Sequence, residues 1–236
     1  MAVLLLQLVA PMQSWGYASR WDIRDTGREP TKSGVVGLLA AACGIPRNGD
    51  IGHLAALRMS VRVDCEGKVE RDFQTVGGGR VEGREYGVPK AAGGVFGTVT
   101  SERFYIADAA FLVALEGEAR LLREVEKALA APYWPLSLGR RSYPPAAPIL
   151  TRDAMHKDAQ VEELFLRTPP LKTTGKGSQP KRLRASFELK PGQSPHPESI
   201  RRSIPDQPIS FAPPRHTLRD IEIRFIEIGE GENGRV

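Results

Sequence analysis

Two groups of side chains in this sequence have the types and spacing that chemistry needs. Gly27-Arg28-Glu29-Pro30-Thr31-Lys32-Ser33 has the outline of a phosphate-cradling loop. Such a loop needs a glycine just before its lysine so that backbone N–H groups can close on the phosphates, and Thr31 stands there instead. Gly175-Lys176-Gly177-Ser178 fails in the same way. A nucleotide site is therefore not expected. Thr31 and Ser33 read as helix caps, and the N–H groups of a helix start, with Lys32, read as a phosphate site on RNA. The second group is Tyr143, His156 and Lys157. Metal-free RNA cleavage asks only for a base near the 2′-hydroxyl and a cation on the phosphate, and these three have the right types. A tyrosine packed on prolines beside a solvent-facing His-Lys pair is the plainer reading of the same residues.

Other chemistries find less support. His53, His156, His196 and His216 are scattered without HxxxH-type spacing, so no metal site is expected. No GxSxG elbow occurs, and Cys43 and Cys65 lack any CxxC or Cys/His pattern. They read as small buried hydrophobes in a reducing cytosol, which points to a cytoplasmic protein. Neither a cofactor nor a catalytic residue is assigned.

Basic and aromatic residues form a more coherent pattern. Arg140 and Arg141 follow Gly139 on a turn that ends at Tyr143-Pro144-Pro145. Guanidiniums fork onto phosphates, and aromatic faces stack on unpaired bases. Trp15 and Trp21, with Arg20 and Arg24, offer a second such surface, although both tryptophans also read as core. The 33 Lys and Arg against 28 Asp and Glu leave a net charge of +5, which favours a polyanionic partner without proving one. The RRM aromatic signature is absent, so base stacking of that kind on a sheet face is not the expected mode.

These residues must be held by a fold that the periodicity outlines. Val3–Val9 is almost continuously apolar, which suits a central strand covered on both faces; the run is too short to span a bilayer, and no membrane association is expected. Thr31 can cap a helix ended by Gly44 and Pro46, with Val35, Leu38, Leu39 and Ala42 on one face. Gly34 and Gly37 inside that helix point to a closely approaching neighbour. Met59, Val61, Val63 and Cys65 alternate with Ser60, Arg62 and Asp64 as a half-buried strand, and Phe104–Leu115 reads as another. Leu122, Val125 and Leu129 mark a second helix over 118–130. A fourth strand near Pro135–Leu138 would complete βαββαβ, an α+β, ferredoxin-like (RRM-like) order.

Residues 66–103, rich in glycine and poor in large apolar side chains, read as a long projecting hairpin, with Arg80, Arg84 and Lys90 as its RNA-facing cations. The expected organisation is a 1–150 RNA-binding domain carrying that insertion, a basic β-rich part over 151–228 with a smaller sheet of its own, and a flexible tail over 229–236.

Four ordered blocks carry a family resemblance: LQLVAPMQSWG at 6–16, PTKSGVVGLLAAACGI at 30–45, RFYIADAAF at 103–111 and LGRRSYPPAAPI at 138–149. Together they resemble the CasD family, the subunit of type I-E CRISPR Cascade that caps the 5′ handle of crRNA. The resemblance implies a ferredoxin-like domain whose insertion is a β-hairpin thumb, and a non-catalytic, RNA-binding role in antiviral defence that nucleates the protein backbone. The implied partners are the crRNA 5′ handle, CasC backbone subunits, the CasA large subunit and, through the assembled complex, target DNA. Carried over by block, the implied RNA-binding residues are Ser14, Trp15 and Gly16, then Lys32 and Ser33, then Arg140, Arg141 and Tyr143. The alternative is a metal-independent endoribonuclease processing precursor crRNA, since relatives in another Cascade subtype cut RNA.

Overall fold

The computed structural model describes residues 1–16, 22–90, 93–95, 97–171 and 182–228. In chain order the strands are β1 Ala2–Val9, β2 Met12–Gln13, β3 Ile23–Arg24, β4 Arg58–Cys65, β5 Lys68–Gly77, β6 Gly79–Val81, β7 Arg84–Tyr86, β8 Thr98–Ala107, β9 Ala110–Gly117, β10 Leu150–Lys157, β11 Arg182–Glu188, β12 Ile200–Phe211 and β13 Pro214–Glu227. The helices are α1 Lys32–Ala42, α2 Gly52–Ala55, α3 Ala119–Ala130 and α4 Val161–Arg167.

The main sheet has seven strands in the order β10-β1-β9-β4-β11-β13-β12, and every neighbouring pair is antiparallel. The continuous apolar run of β1 has the cause its sequence suggested. Leu4, Leu6 and Leu8 belong to the same core as the apolar faces of α1 and α3, while Val3 and Leu5 pack with Leu164 and Phe165 of α4. Strand β9 is likewise buried on both faces, with Phe111, Val113 and Leu115 on the α1 side and Leu112 and Ala114 on the α4 side.

Helix α1 starts where its cap requires, with the Gly34 N–H donating to Thr31 Oγ1 at 3.2 Å. Its glycines differ in what surrounds them. A Cβ on Gly34 would lie 2.8 Å from Trp15 Cε3, whereas one on Gly37 would lie 3.7 Å from Phe211 Cζ, an ordinary contact. Opposite signs are therefore expected in urea unfolding. Gly37→Ala should gain about 0.5–1 kcal/mol of helix propensity, and Gly34→Ala should lose about 1–2 kcal/mol net because the fixed indole must shift. Equal shifts of the two midpoints would disprove the close approach of Trp15.

Several expectations are corrected. No strand forms over Pro135–Leu138; the edge beside β1 is taken by β10, with Leu150 opposite Leu6 and Lys157 opposite Ala2. Prolines 132, 135, 144, 145 and 148 deny residues 132–148 a regular run of ladder donors. The span read as one strand over 104–115 is two, β8 and β9, broken at Asp108, whose φ is 53°. The C-terminal strands do not form a second sheet, because β11 pairs with β4 (Ala185 opposite Arg62) and continues the first. The polar face of β4 is not solvent-facing either: Ser60, Arg62 and Asp64 are all buried, Arg62 completely, beneath α4 and the 165–171 segment. Cys43 is exposed and Cys65 half-buried, both free thiols.

The glycine-rich insertion does form a hairpin. Strands β5 and β8 pair in register from Lys68 opposite Ala107 to Gly77 opposite Thr98, two ten-residue arms reaching roughly 30 Å at ordinary strand rise. A small β6–β7 hairpin continues beyond them. Most of β5 is exposed, as a segment with few apolar side chains must be. At its root, the far edge of β8 pairs with β2 and, in parallel, with β3.

Candidate nucleic-acid interface

The first block, 13–16, is folded into the junction of the sheet, the hairpin and α1. Gln13 is fully buried and its amide donates to the carbonyls of Leu8 and Ala109, at 3.2 and 2.9 Å. Trp15 is 1% exposed, its indole N–H donating to Gln13 Oε1 at 3.2 Å. Of its two readings the core one holds, so this ring is not a stacking platform. Ser14 is buried too, with Oγ donating to Phe104 O at 3.3 Å and its N–H to Leu138 O at 3.1 Å. Gly16 is exposed.

That last bond docks the Gly139–Tyr143 loop on the first block. Gly139 has φ +96°, and a Cβ there would fall 1.8 Å from Ser14 O, so no larger residue fits this approach. Beyond it, Arg140 is held in place: Nη1 donates to the Tyr143 hydroxyl at 3.0 Å and Nη2 to Arg24 O at 3.2 Å. Tyr143 is buried beneath that guanidinium and tilted against Tyr105 at 6.1 Å between centroids. Its ring is therefore spent on supporting the loop rather than offered to a base. Arg141 is exposed and makes no hydrogen bond or ion pair among the described residues; the Arg24 side chain, on β3, is exposed as well. The three segments 14–16, 24–28 and 138–143 thus meet at the hairpin root and present cations there.

Lys32 and Ser33 do not join them. Lys32 is 2% exposed, its Nζ 2.7 Å from Glu188 and its backbone N–H donating to Asp206 at 2.8 Å. Arg219 completes the cluster by pairing with both Asp206 and Glu188. Burial lowers the Lys32 ammonium below its usual range, against the pull of Glu188. The expectation of a phosphate site at this helix start is corrected: Asp206 and the Thr31 cap already occupy it. Ser33 Oγ lies within 3.5 Å of Thr31 Oγ1, a capping position.

Arg80, Arg84 and Lys90 lie on the exposed distal part of the hairpin, away from its root. Arg20 and Trp21 fall outside the described residues, as do Lys172, Lys176, Lys181 and the 229–236 tail. Sequence reasoning overlooked Tyr105, which braces Tyr143; its place beside Arg103 at the hairpin root was the available signal.

The Tyr143, His156 and Lys157 set is not brought together. His156 stands opposite Val3 on β10, whereas the Tyr143 loop leads to Ala146, whose N–H bonds Val9 O at the other end of β1. Six residues of strand separate those levels, about 20 Å. His156 Nδ1 accepts from Arg167 Nη2 at 3.1 Å, and burial, then the Arg167 charge, lower its pKa. Among the described residues no group of three or more His, Cys, Asp or Glu side chains could hold a metal ion. No helix among them is long and apolar enough to cross a membrane.

This arrangement has close counterparts in known proteins. The family model for CRISPR-associated protein (Cas_Cas5) matches residues 3–226. CRISPR system Cascade subunit CasD of Escherichia coli (strain K12) is 36% identical over 172 residues, which is 66% of this chain and 73% of that protein. A chain of a solved CRISPR RNA-guided surveillance complex superposes with a TM-score of 0.79 at 32% identity, covering 96% of this chain and 90% of that one. A crystal structure of a Cas protein gives 0.71 at 37% identity, covering 95% of each. With nearly its whole length matched, hairpin and C-terminal strands included, this chain belongs to the CRISPR-associated Cas_Cas5 family.

Proposed function

We propose that this chain is a non-catalytic structural subunit of a type I-E Cascade surveillance complex, in which it holds the 5′ handle of crRNA. The observation that carries the reading is the meeting of the 14–16, 24–28 and 138–143 segments at the hairpin root. There a loop locked by Gly139 and tied to Arg24 O through Arg140 carries Arg141, and neither Arg141 nor Arg24 has a partner for its guanidinium among the described residues. Uncommitted guanidiniums carried on a rigid backbone can position an RNA backbone. The likeness to CasD and to a surveillance-complex chain supports the same reading.

The βαββαβ core is best described as ferredoxin-like. Its strands β1, β4, β9 and β10 lie in the order fourth, first, third, second, with α1 after the first and α3 after the third. The hairpin is then the thumb beside which the handle bends. CasC subunits continue the backbone, CasA docks nearby, and guide pairing in the cytoplasm, rather than this chain, reads target DNA.

The test is end-labelled repeat RNA incubated with the protein in EDTA and scored for binding and cleavage together. Tight binding of the handle without cleavage is expected. In the same assay Arg141→Ala should weaken binding roughly tenfold at low salt and reduce the log–log salt slope by about 0.7, one single-strand phosphate contact. Its melting temperature should stay that of the wild type. Specific cleavage abolished by His156→Ala would replace this reading with a processing nuclease.

A further inference from the structure

A groove of about 870 Å³ lies between the 26–31 segment and the β12–β13 hairpin, beside the start of α1. Its volume is that of a ligand site, and its lining is unlike an ordinary surface. Ile200 and Phe225, 62% and 59% exposed, stand with Ile223 along it. Ile200 is directly opposite Ile223, and Phe225 is two residues further along β13, so the three share one face. A contiguous apolar strip rimmed by charge marks a binding surface.

The charge on the rim is positive once internal pairs are set aside. Glu29 and Glu66 are both committed to Arg184. Asp206 is committed to the Lys32 N–H and Arg219. Arg28 and Arg202, in contrast, are exposed and make no ion pair among the described residues. Outside the groove lining, the Arg182 guanidinium stands over the Phe225 ring, 5.4 Å from its centroid. An aromatic ring and planar guanidiniums between uncommitted cations is the composition with which proteins hold unpaired bases on a charged backbone track.

The groove also adjoins the interface described above. Trp15 N donates to Thr26 Oγ1 at 2.9 Å and Gly27 N to Trp15 O at 3.0 Å, so only the 26–28 strip separates the groove from the first block. We infer that the groove receives an unpaired base of the same RNA, stacked at Phe225 and Arg182, with flanking phosphates on Arg28 and Arg202. The inference rests on the handle-binding reading and extends the RNA path across the 26–28 strip onto the C-terminal strands.

Handle RNA substituted with 4-thiouridine, irradiated in complex with the full chain, should cross-link to the tryptic peptide beginning at Phe225. Phe225→Ala should weaken binding roughly five- to hundredfold, the range for loss of one stacked base. It should keep its melting temperature, because the ring is exposed. Arg202→Ala should lower the salt slope by about 0.7. Wild-type affinity in both variants and no cross-link at Phe225, with Arg141→Ala still weakened, would overturn the inference and leave the groove to a protein partner. A wild-type chain that binds no handle RNA would bring down the handle reading itself, and this inference with it.

Discussion

Arg62→Ala is expected to cost about 3–5 kcal/mol of folding stability, the range for removing one partner of a buried pair. No atom of Arg62 has appreciable contact with water. Its Nε and Nη2 hold Asp64 at 2.6 and 2.8 Å, and its remaining donors go to the carbonyls of Phe165, Thr168 and Pro169. Alanine leaves those carbonyls unpaired and Asp64 buried with only the Leu171 N–H, 2.7 Å away. Burial already raises the Asp64 pKa, and the Arg62 hydrogen bond and charge oppose that rise. Without Arg62 the carboxyl should climb further above its unfolded value. A raised folded pKa favours the native state at low pH, and that contribution is lost as pH rises through it. The variant's deficit, measured by urea unfolding, should therefore be larger at pH 8 than at pH 5. Arg62→Met combined with Asp64→Leu should recover much of the loss, since an apolar pair leaves no buried charge. A single variant within 1 kcal/mol of wild type, or one with no pH trend, would show that water reaches this pair.

Gly139→Ala should damage folding and RNA binding together. The new Cβ would fall on Ser14 O, at 1.8 Å, and lie 2.8 Å from Ser14 C. Both are backbone atoms, so no rotamer relieves the clash. A φ of +96° adds strain of about 1–3 kcal/mol for a residue with a side chain. The loop must lift, and the Ser14–Leu138 and Arg140–Arg24 hydrogen bonds at 3.1 and 3.2 Å go with it, at about 1 kcal/mol each. A loss of roughly 3–5 kcal/mol in stability is expected. Handle affinity should fall at least tenfold, as when a well-placed charged hydrogen bond is lost. Arg141→Ala separates the two effects, because it should lower affinity alone. A Gly139→Ala protein with wild-type melting temperature and affinity would mean that the loop is not locked on Ser14 and that its position matters little to the RNA.

The sequence by itself determined whatever depends on near neighbours. The caps and apolar spacing of α1, the Leu122, Val125 and Leu129 face of α3, and the two-sided burial of β1 follow from local periodicity, because a helix or strand must bury its apolar side. The 66–103 hairpin follows from composition, since a segment with few large apolar side chains cannot enter a core. The basic and aromatic pattern singled out Arg24, Arg140, Arg141 and Tyr143 as candidates for RNA, and the family resemblance added Ser14 and Gly16.

Tertiary structure decided what covers each polar side chain. Alternation on β4 put Ser60, Arg62 and Asp64 on one face, but only the arrival of the 165–171 segment made that face dry. Lys32 had the look of a phosphate ligand until Glu188 and Asp206, more than 150 residues away, came to meet it. Tyr143 and His156 lie 13 positions apart in the chain, yet β10 carries them to opposite ends of β1. Strand pairing over such separations depends on loop closure and on competition among edges, and a sequence window records neither. The single seven-stranded sheet, and the groove on its C-terminal half beside the 26–31 segment, exist only after those pairings are made.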